Sequence, residues 1–202
     1  MNNDLFITPG IPDEYFEREE GIPMTKNEIR VLSIAKLRLF PSALVYDVGA
    51  GSGSVAIECK RLIPAGQVFA IEKNPRAIEL IKNNSKKFRV NMEVIPGIAP
   101  EAMEGLPSAD RIFLGGSGGK MKAILDACDD KLKDGGWLVI NSVSLNNGAD
   151  AYGILKGKGY YLEAAQVNIA VLNRKGTAEI WQARNPVTII SAQKRGNPGG
   201  IR

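Results

Sequence analysis

Five residues carry the chemistry this sequence can do: Asp47, Gly49, Gly51, Gly53 and Glu72. An apolar, β-branched run, Ala43-Leu44-Val45-Tyr46, leads into Asp47-Val48-Gly49-Ala50-Gly51-Ser52-Gly53-Ser54, and a helical pattern follows. That is a strand, a tight glycine turn and a helix start. Glycines let the backbone take positive φ and let a ligand approach where a Cβ would stand in the way. The helix beyond offers unpaired N–H groups to an anionic group. Such a turn reads as a nucleotide-type cofactor site. Val68-Phe69-Ala70-Ile71-Glu72 is a second short apolar strand, and its terminal carboxylate stands where ribose hydroxyls are held.

Two cofactors fit this pattern differently. The dinucleotide fingerprint G-x-G-x-x-G/A, started at Gly49, puts Ser54 where the third glycine or alanine belongs. The spacing present, with Asp47 two residues ahead of Gly49, resembles instead motif I of the class I S-adenosylmethionine (SAM) methyltransferases. A second glycine turn, Gly115-Gly116-Ser117-Gly118-Gly119, follows another apolar run.

The elements that must position these residues alternate. Strands are predicted at 43–48, 67–72, 91–95, 111–114 and 137–143, with helices at 54–63, 75–88, 120–132 and 147–156 between and after them. Asn74-Pro75 marks one helix start as N-cap and first-turn proline. An opening helix over 26–39 is introduced by a capping box, Thr25 and Glu28, and a Met24–Ile29 staple, with Ile29, Leu32, Ala35 and Leu39 inward. Beyond it, 161–172 and 187–192 read as long strands, 173–176 as a basic turn, and 177–184 as strand or helix. Repeated strand–helix units imply an α/β, doubly wound, mostly parallel seven-stranded sheet of the Rossmann-like methyltransferase type, with an antiparallel last strand. The ligand belongs at the carboxyl ends of the strands, over the switch point by the first. One domain is expected over 1–195, with 1–23 an acidic, Pro/Gly-punctuated arm and 196–202 a disordered tail.

Composition narrows the chemistry. The 202 residues contain no histidine, which removes Ser-His-Asp and Cys-His catalysis and a His general base. Cys59 and Cys128 are too few for a disulfide framework and read as buried thiols, and no metal site is expected. A net charge of +4 favours an anionic partner, but the basic residues are spread along the chain and do not indicate nucleic acid. No run approaches the ~18 apolar residues of a membrane span, and the N-terminus lacks a signal-peptide pattern. A cytoplasmic protein is expected.

Further motifs make the resemblance specific. Gly10-Ile11-Pro12-Asp13-Glu14-Tyr15-Phe16, Gly21-Ile22-Pro23-Met24-Thr25-Lys26-Asn27-Glu28-Ile29-Arg30, Ala99-Pro100-Glu101-Ala102, the 115–119 turn and Asn185-Pro186-Val187 are similar to stretches of the precorrin carbon-15 methyltransferases. These are the decarboxylating enzymes of corrin (vitamin B12) biosynthesis that act on precorrin-6B or its cobalt form. The resemblance implies SAM as methyl donor. It assigns Gly49, Ala50, Gly51, Ser52 and Gly53 to the methionine part, Glu72 to the ribose, Ala99 to the adenine pocket and Thr25 to cofactor contact. Asp47 would order the turn or meet the methionine ammonium through water. Gly115, Gly116, Ser117, Gly118 and Gly119 would face the carboxylates of the tetrapyrrole substrate, with Lys120, Lys122, Arg174 and Lys175 adding charge. Where the family usually carries an acidic residue before Ala99, this chain has Ile98. The implied reaction is methylation at carbon 15 with loss of the carbon-12 acetate carboxylate. Its proton donor is unassigned, with Glu101, Asn141 and Tyr15 as candidates. The family also implies a homotetramer and a separate carbon-5 methyltransferase. A class I methyltransferase acting on tRNA (a tRNA adenine methyltransferase) or on another small molecule, a dinucleotide-binding protein and a non-catalytic SAM-binding subunit are the alternatives.

Overall fold

The structure is a computed structural model describing residues 8–116 and 118–196, with Lys175 described by its backbone alone. The strands are β1 (Leu44–Val48), β2 (Gln67–Glu72), β3 (Glu93–Pro96), β4 (Ala109–Leu114), β5 (Leu132–Ser142), β6 (Tyr161–Val167), β7 (Ala170–Lys175), β8 (Ala178–Ala183) and β9 (Val187–Gln193). The helices are α1 (Asn27–Leu37), α2 (Ser54–Leu62), α3 (Pro75–Lys87), α4 (Met121–Lys131) and α5 (Leu145–Gly157). Seven strands form one sheet in the order β3-β2-β1-β4-β5-β9-β6. β1 to β5 pair in parallel, and β9 runs antiparallel to both its neighbours. The strand order reverses between β1 and β4, and a crevice opens there at the strand ends.

Strand residues alternate between two cores. Tyr46, Val48, Phe69, Ile71, Ile112, Leu114, Leu138 and Ile140 pack with Ile124, Leu125 and Cys128 of α4 and Ala151 and Leu155 of α5. Val45, Val68, Ala70, Phe113 and Val139 pack on the other face with residues of α1, α2 and α3. Strands covered on both faces read as near-continuous apolar runs, and Leu44–Tyr46, Val68–Ile71 and Ile112–Leu114 make β1, β2 and β4 plain in the sequence. Both cysteines are buried free thiols, as expected.

The N-terminal arm, over its described residues, is fixed to the body. Ile11 and Phe16 are buried against Ile57 and Phe88. The side chain of Arg30 is fully buried, and its Nε donates to Glu58 Oε1 at 2.5 Å. Its Nη1 reaches Asp13 Oδ1 at 3.2 Å and the Thr25 carbonyl at 2.5 Å, and its Nη2 donates to the Ile11 carbonyl. Glu58 in turn accepts the amides of Gly10 (2.6 Å) and Ile11 (3.0 Å).

That network alters the start of α1 from the expected one. Lys26 is the N-cap residue, and its side chain does not cap. The cap comes from the arm, since Asp13 Oδ1 accepts the Asn27 amide at 3.0 Å. Thr25 and Glu28 form no capping box: Glu28 instead pairs with Arg184. Met24 packs with the arm cluster and Ile29 with the sheet, so the expected staple is not made. The helix turns Ile29, Arg30, Ser33, Ile34 and Leu37 inward, while Leu32 is 41% exposed. Arg30 takes a core position because Glu58 neutralises it, and Ser33 is satisfied by donating to the Ile29 carbonyl at 2.7 Å. α1 ends at Leu37, ahead of Pro41, with Arg38 in the left-handed region at φ 51°.

The strand expected over 161–172 divides. β6 stays in the sheet, and β7 leaves it to pair with β8 in a separate two-stranded hairpin. The basic stretch 173–175 is therefore strand, and Gly176, at φ 64°, makes the turn. β5 begins five residues earlier than expected, at Leu132, and β3 lies over 93–96. Ser117 and residues 197–202 of the tail expected over 196–202 lie outside the described residues.

Candidate functional site

The first cavity sits at the carboxyl ends of β1, β2 and β4. The turn after β1 is tied to β2: Gly49 and Ala50 donate to the Ile71 carbonyl at 2.9 and 3.1 Å, and Gly53 donates back to Ala50 at 2.8 Å. The Glu72 carboxylate is 8% exposed and holds the turn from below. Its Oε2 accepts the Gly51 amide at 2.9 Å, and its Oε1 accepts Lys73 and Asn74 at 2.9 and 3.0 Å. Gly51 has φ 54°, and a Cβ there would stand 2.5 Å from the Pro23 carbonyl. That carbonyl accepts the Ser52 amide at 3.2 Å, so arm and turn meet backbone to backbone.

The cavity encloses about 280 Å³. Gly49, Gly51, Glu72, Ala99, Gly115, Gly116 and Gly118 line it, with Ile22 and Pro23 from the arm. Lys73, Asn74 and Gly97 also line it; of these Asn74 is legible in the sequence only as the cap of α3, and Lys73 and Gly97 only as neighbours of Glu72 and Pro96. Ala50, Ser52 and Gly53 complete the turn but are buried behind its lining face. Asp47 lies buried beneath the turn. Its Oδ2 accepts the Ala56 amide at 2.9 Å, while its Oδ1 has no hydrogen-bond partner among the described residues. Burial pushes its carboxyl up to about 7, the Ala56 amide opposes this, and the Glu72 charge adds to it. The Ser52 hydroxyl is likewise buried without a partner.

A second, larger cavity of about 640 Å³ adjoins the first and shares Pro23, Gly115 and Gly116 with it as walls. Thr25 lines this second cavity, not the first. The end of β5 contributes Ile140, Asn141, Ser142 and Val143, and the link between β8 and β9 contributes Arg184 and Asn185. Asn141 is held by Ser33, to which its Nδ2 donates at 2.9 Å. Arg184, isolated in sequence, was not expected here, whereas Asn185 lies in a stretch already singled out.

The basic residues expected at the second glycine turn are engaged elsewhere. Lys120 pairs with Glu101 at 3.2 Å, Lys122 with Asp126 at 2.7 Å, and Arg174 with Glu179 at 2.9 Å. None of the three lines the second cavity; the Lys122–Asp126 pair is the i,i+4 spacing of a helix, whereas Glu101 reaches Lys120 from 19 residues away. Gly119, Lys120 and Glu101 border a separate open groove. Of the three candidate proton donors, Asn141 alone reaches the second cavity, since Tyr15 packs in the arm cluster.

The first cavity fits a nucleoside with an amino-acid tail. Its walls are apolar at Ile22, Val48, Ile71, Ile98, Ala99 and Ile124, with one carboxylate at the end of β2 and amides along the glycine turn. Ile98, 41% exposed, leaves the strand-three side of that cavity apolar.

Known proteins agree with this arrangement. Residues 14–194 match the model of the precorrin methyltransferase domain. The chain is 44% identical over 191 residues to a probable cobalt-precorrin-6B C(15)-methyltransferase (decarboxylating) from Sulfurisphaera tokodaii, covering 92% of this chain and 98% of that one. It is 38% identical over 187 residues to the cobalt-precorrin-6B C(15)-methyltransferase (decarboxylating) of Salmonella typhimurium, covering 92% and 96%. The crystal structure of a precorrin-6y C5,15-methyltransferase from Geobacter metallireducens superposes with a TM-score of 0.87 at 40% identity, covering 93% and 99%. A sheet of class I SAM-methyltransferase order, a nucleoside-sized cavity beside a larger one, and likeness along nearly the whole chain converge: this chain belongs to the precorrin methyltransferase family.

Proposed function

We propose that this enzyme methylates carbon 15 of precorrin-6B or its cobalt form and removes the carboxylate of the carbon-12 acetate, giving the corresponding precorrin-7. The observation that carries the reading is the shared wall of Pro23, Gly115 and Gly116 between a nucleoside-sized cavity and one more than twice its volume. SAM supplies an electrophilic methyl group on a sulfonium sulfur. The chain's own residues bind and orient. Glu72 takes the ribose hydroxyls, a bidentate role suited to a carboxylate. The turn Gly49–Gly53 cradles the methionine part, Ala99 and Ile98 pack on the adenine, and Asp47 holds the turn through Ala56. Thr25 borders the acceptor cavity, and Pro23 stands between it and the cofactor. The shared wall is uncharged, which suits a reaction that discharges a sulfonium. Positioning in a near-attack geometry can supply up to roughly 7–11 kcal/mol of such a barrier.

Mass spectrometry of the product from precorrin-6B and SAM tests this. Gain of one methyl with loss of carbon dioxide is expected. Methyl gain alone would remove the decarboxylating half, and no turnover would remove the reading.

We also propose that the chain works as a homotetramer in the cytoplasm and leaves carbon-5 methylation to a separate protein. Among the described residues no helix is long and apolar enough to cross a membrane. The β7–β8 hairpin projects from the sheet with Leu172, Ile180 and Trp181 exposed, Trp181 by 69%. Apolar groups clustered on one projecting element suit burial between copies. Light scattering of the wild type and of Trp181→Glu tests this: the substitution is expected to lower the assembly mass, and a monomeric wild type would refute the tetramer.

A further inference from the structure

The second cavity is lined by two charged residues, Lys26 and Arg184, and both are positive. Each meets an acid that is itself not part of the lining. Lys26 lies 3.6 Å from Asp13, and Arg184 Nη1 lies 2.5 Å from Glu28 Oε2. The two acids differ in commitment. Asp13 also caps α1 and binds Arg30, so moving it would undo the start of a helix. Glu28 makes no other side-chain hydrogen bond among the described residues, and its side chain is 37% exposed. Arg184 uses only Nη1, leaving Nε and Nη2 without a partner among the described residues. Its position is nevertheless fixed, because its amide donates to the Ile169 carbonyl at 2.9 Å where the hairpin returns to the sheet. A planar guanidinium on a cavity wall, half engaged by a releasable carboxylate, is built to receive another carboxylate bidentately.

The end of β5 differs: Ile140, Asn141, Ser142 and Val143 offer no charge. The difference matters for a substrate with many carboxylates of which one departs. When the acetate is lost, the bond between its methylene and carboxylate carbons breaks and carbon dioxide leaves. The electron pair passes into the conjugated macrocycle, and a proton from water completes the methyl group. A guanidinium on that carboxylate would hold the electron pair in place, whereas neutral surroundings favour its release.

Building on the proposed precorrin reaction, we propose that Arg184 is a substrate-binding residue. It takes a carboxylate that the product keeps, displacing Glu28, while the neutral end of β5 receives the acetate that is lost. The cavity thus orients the macrocycle by charge.

Steady-state kinetics with precorrin-6B and SAM test this on three proteins: wild type, Arg184→Gln and Glu28→Gln. Arg184→Gln is expected to raise KM for the tetrapyrrole about tenfold or more, the worth of one charge-assisted hydrogen bond. Its SAM affinity by calorimetry should stay unchanged, because Arg184 does not line the first cavity. Glu28→Gln is expected to lower KM, because the substrate no longer competes with Glu28. A wild-type KM in Arg184→Gln, a raised KM in Glu28→Gln, or a fall in decarboxylation with KM unchanged would each overturn the proposal. Fluorescence titration with uroporphyrin, a stable macrocycle with the same acetate and propionate groups, separates this proposal from the reaction it rests on. If the wild type fails to turn over precorrin-6B yet binds uroporphyrin at least tenfold more tightly than Arg184→Gln, the reaction is wrong and the carboxylate site stands. Equal binding by both proteins overturns the site.

Discussion

Glu72 and Gly51 join the end of the second strand to the turn after the first, carboxylate to amide, at 2.9 Å. The same carboxylate also gathers the amides of Lys73 and Asn74. The residue proposed to hold the ribose is thus also the one that shapes the turn, and its two functions can be separated by experiment.

Glu72→Gln keeps the size of the side chain but turns one acceptor into a donor, which then faces either Gly51 or the Lys73–Asn74 pair. An opposed donor costs about 1–3 kcal/mol. Calorimetry is expected to show SAM affinity reduced at least tenfold (about 1.4 kcal/mol or more), with a lower melting temperature. Unchanged affinity would place the ribose elsewhere.

Gly51→Ala tests the contact between turn and arm. The added Cβ meets a backbone carbonyl, that of Pro23, at 2.5 Å, and no side-chain rotation relieves it. Together with a positive φ, the substitution is expected to cost about 1–3 kcal/mol in urea unfolding. SAM binding should fall with it, because Pro23 lines the cavity proposed for the cofactor. A variant of wild-type stability and affinity would show that the arm yields freely.

Asp47 predicts a pH dependence. Its carboxyl ionises near 3.8 in the ordinary case and at about 7 here, raised first by burial. Below pH 4 it is protonated in folded and unfolded chains alike. Between about pH 4 and 7 the unfolded chain has released the proton and the folded chain has not, so this group makes the fold less stable as pH rises, and above 7 the loss is complete. The full effect is on the order of 4 kcal/mol at most. Asp47→Asn cannot ionise, so its urea midpoint should fall less than the wild type's between pH 5 and 8. Parallel curves would assign the pH dependence to other groups.

Glu58→Gln removes the nearer and more deeply buried of the two carboxylates on the Arg30 guanidinium, at 2.5 Å, and leaves Asp13 at 3.2 Å. Breaking one side of such a pair costs about 3–5 kcal/mol. Because Glu58 also binds Gly10 and Ile11, the loss should release the arm. Trypsin is expected to cut after the exposed Arg18 about tenfold faster or more. An unchanged cleavage rate would show that Ile11 and Phe16 hold the arm without it.

The same pair marks where sequence reading stops. Parallel strands buried on both faces are near-continuous apolar runs, and glycine and proline punctuate them, so the sheet, its turns and Glu72 could be read directly. Arg30 could not, because a charged residue on a helix is ordinarily assigned to the surface. Its pairing with Glu58 is a tertiary fact, and missing it misplaced the inward face of α1, with Leu32 turned out and Ser33 turned in. The division of 161–172 escaped for another reason. Asn168-Ile169 carries neither glycine nor proline, and the strand pattern runs across the point where the chain leaves the sheet. Arg184 gave no signal because what distinguishes it is the cavity it borders.

The placement of β9 has a consequence for synthesis. β6 has no neighbour in the sheet except β9, which lies between it and β5. A chain leaving the ribosome can pair β1 to β5 as they emerge, but β6 must wait for a strand some twenty residues further on. Arg184, Asn185 and Val187 arrive with that strand. Every residue lining the first cavity precedes β6, whereas the wall of the second is finished only by residues of the hairpin and β9, so the cavity proposed for SAM can be whole on a nascent chain whose second cavity still stands open on one side.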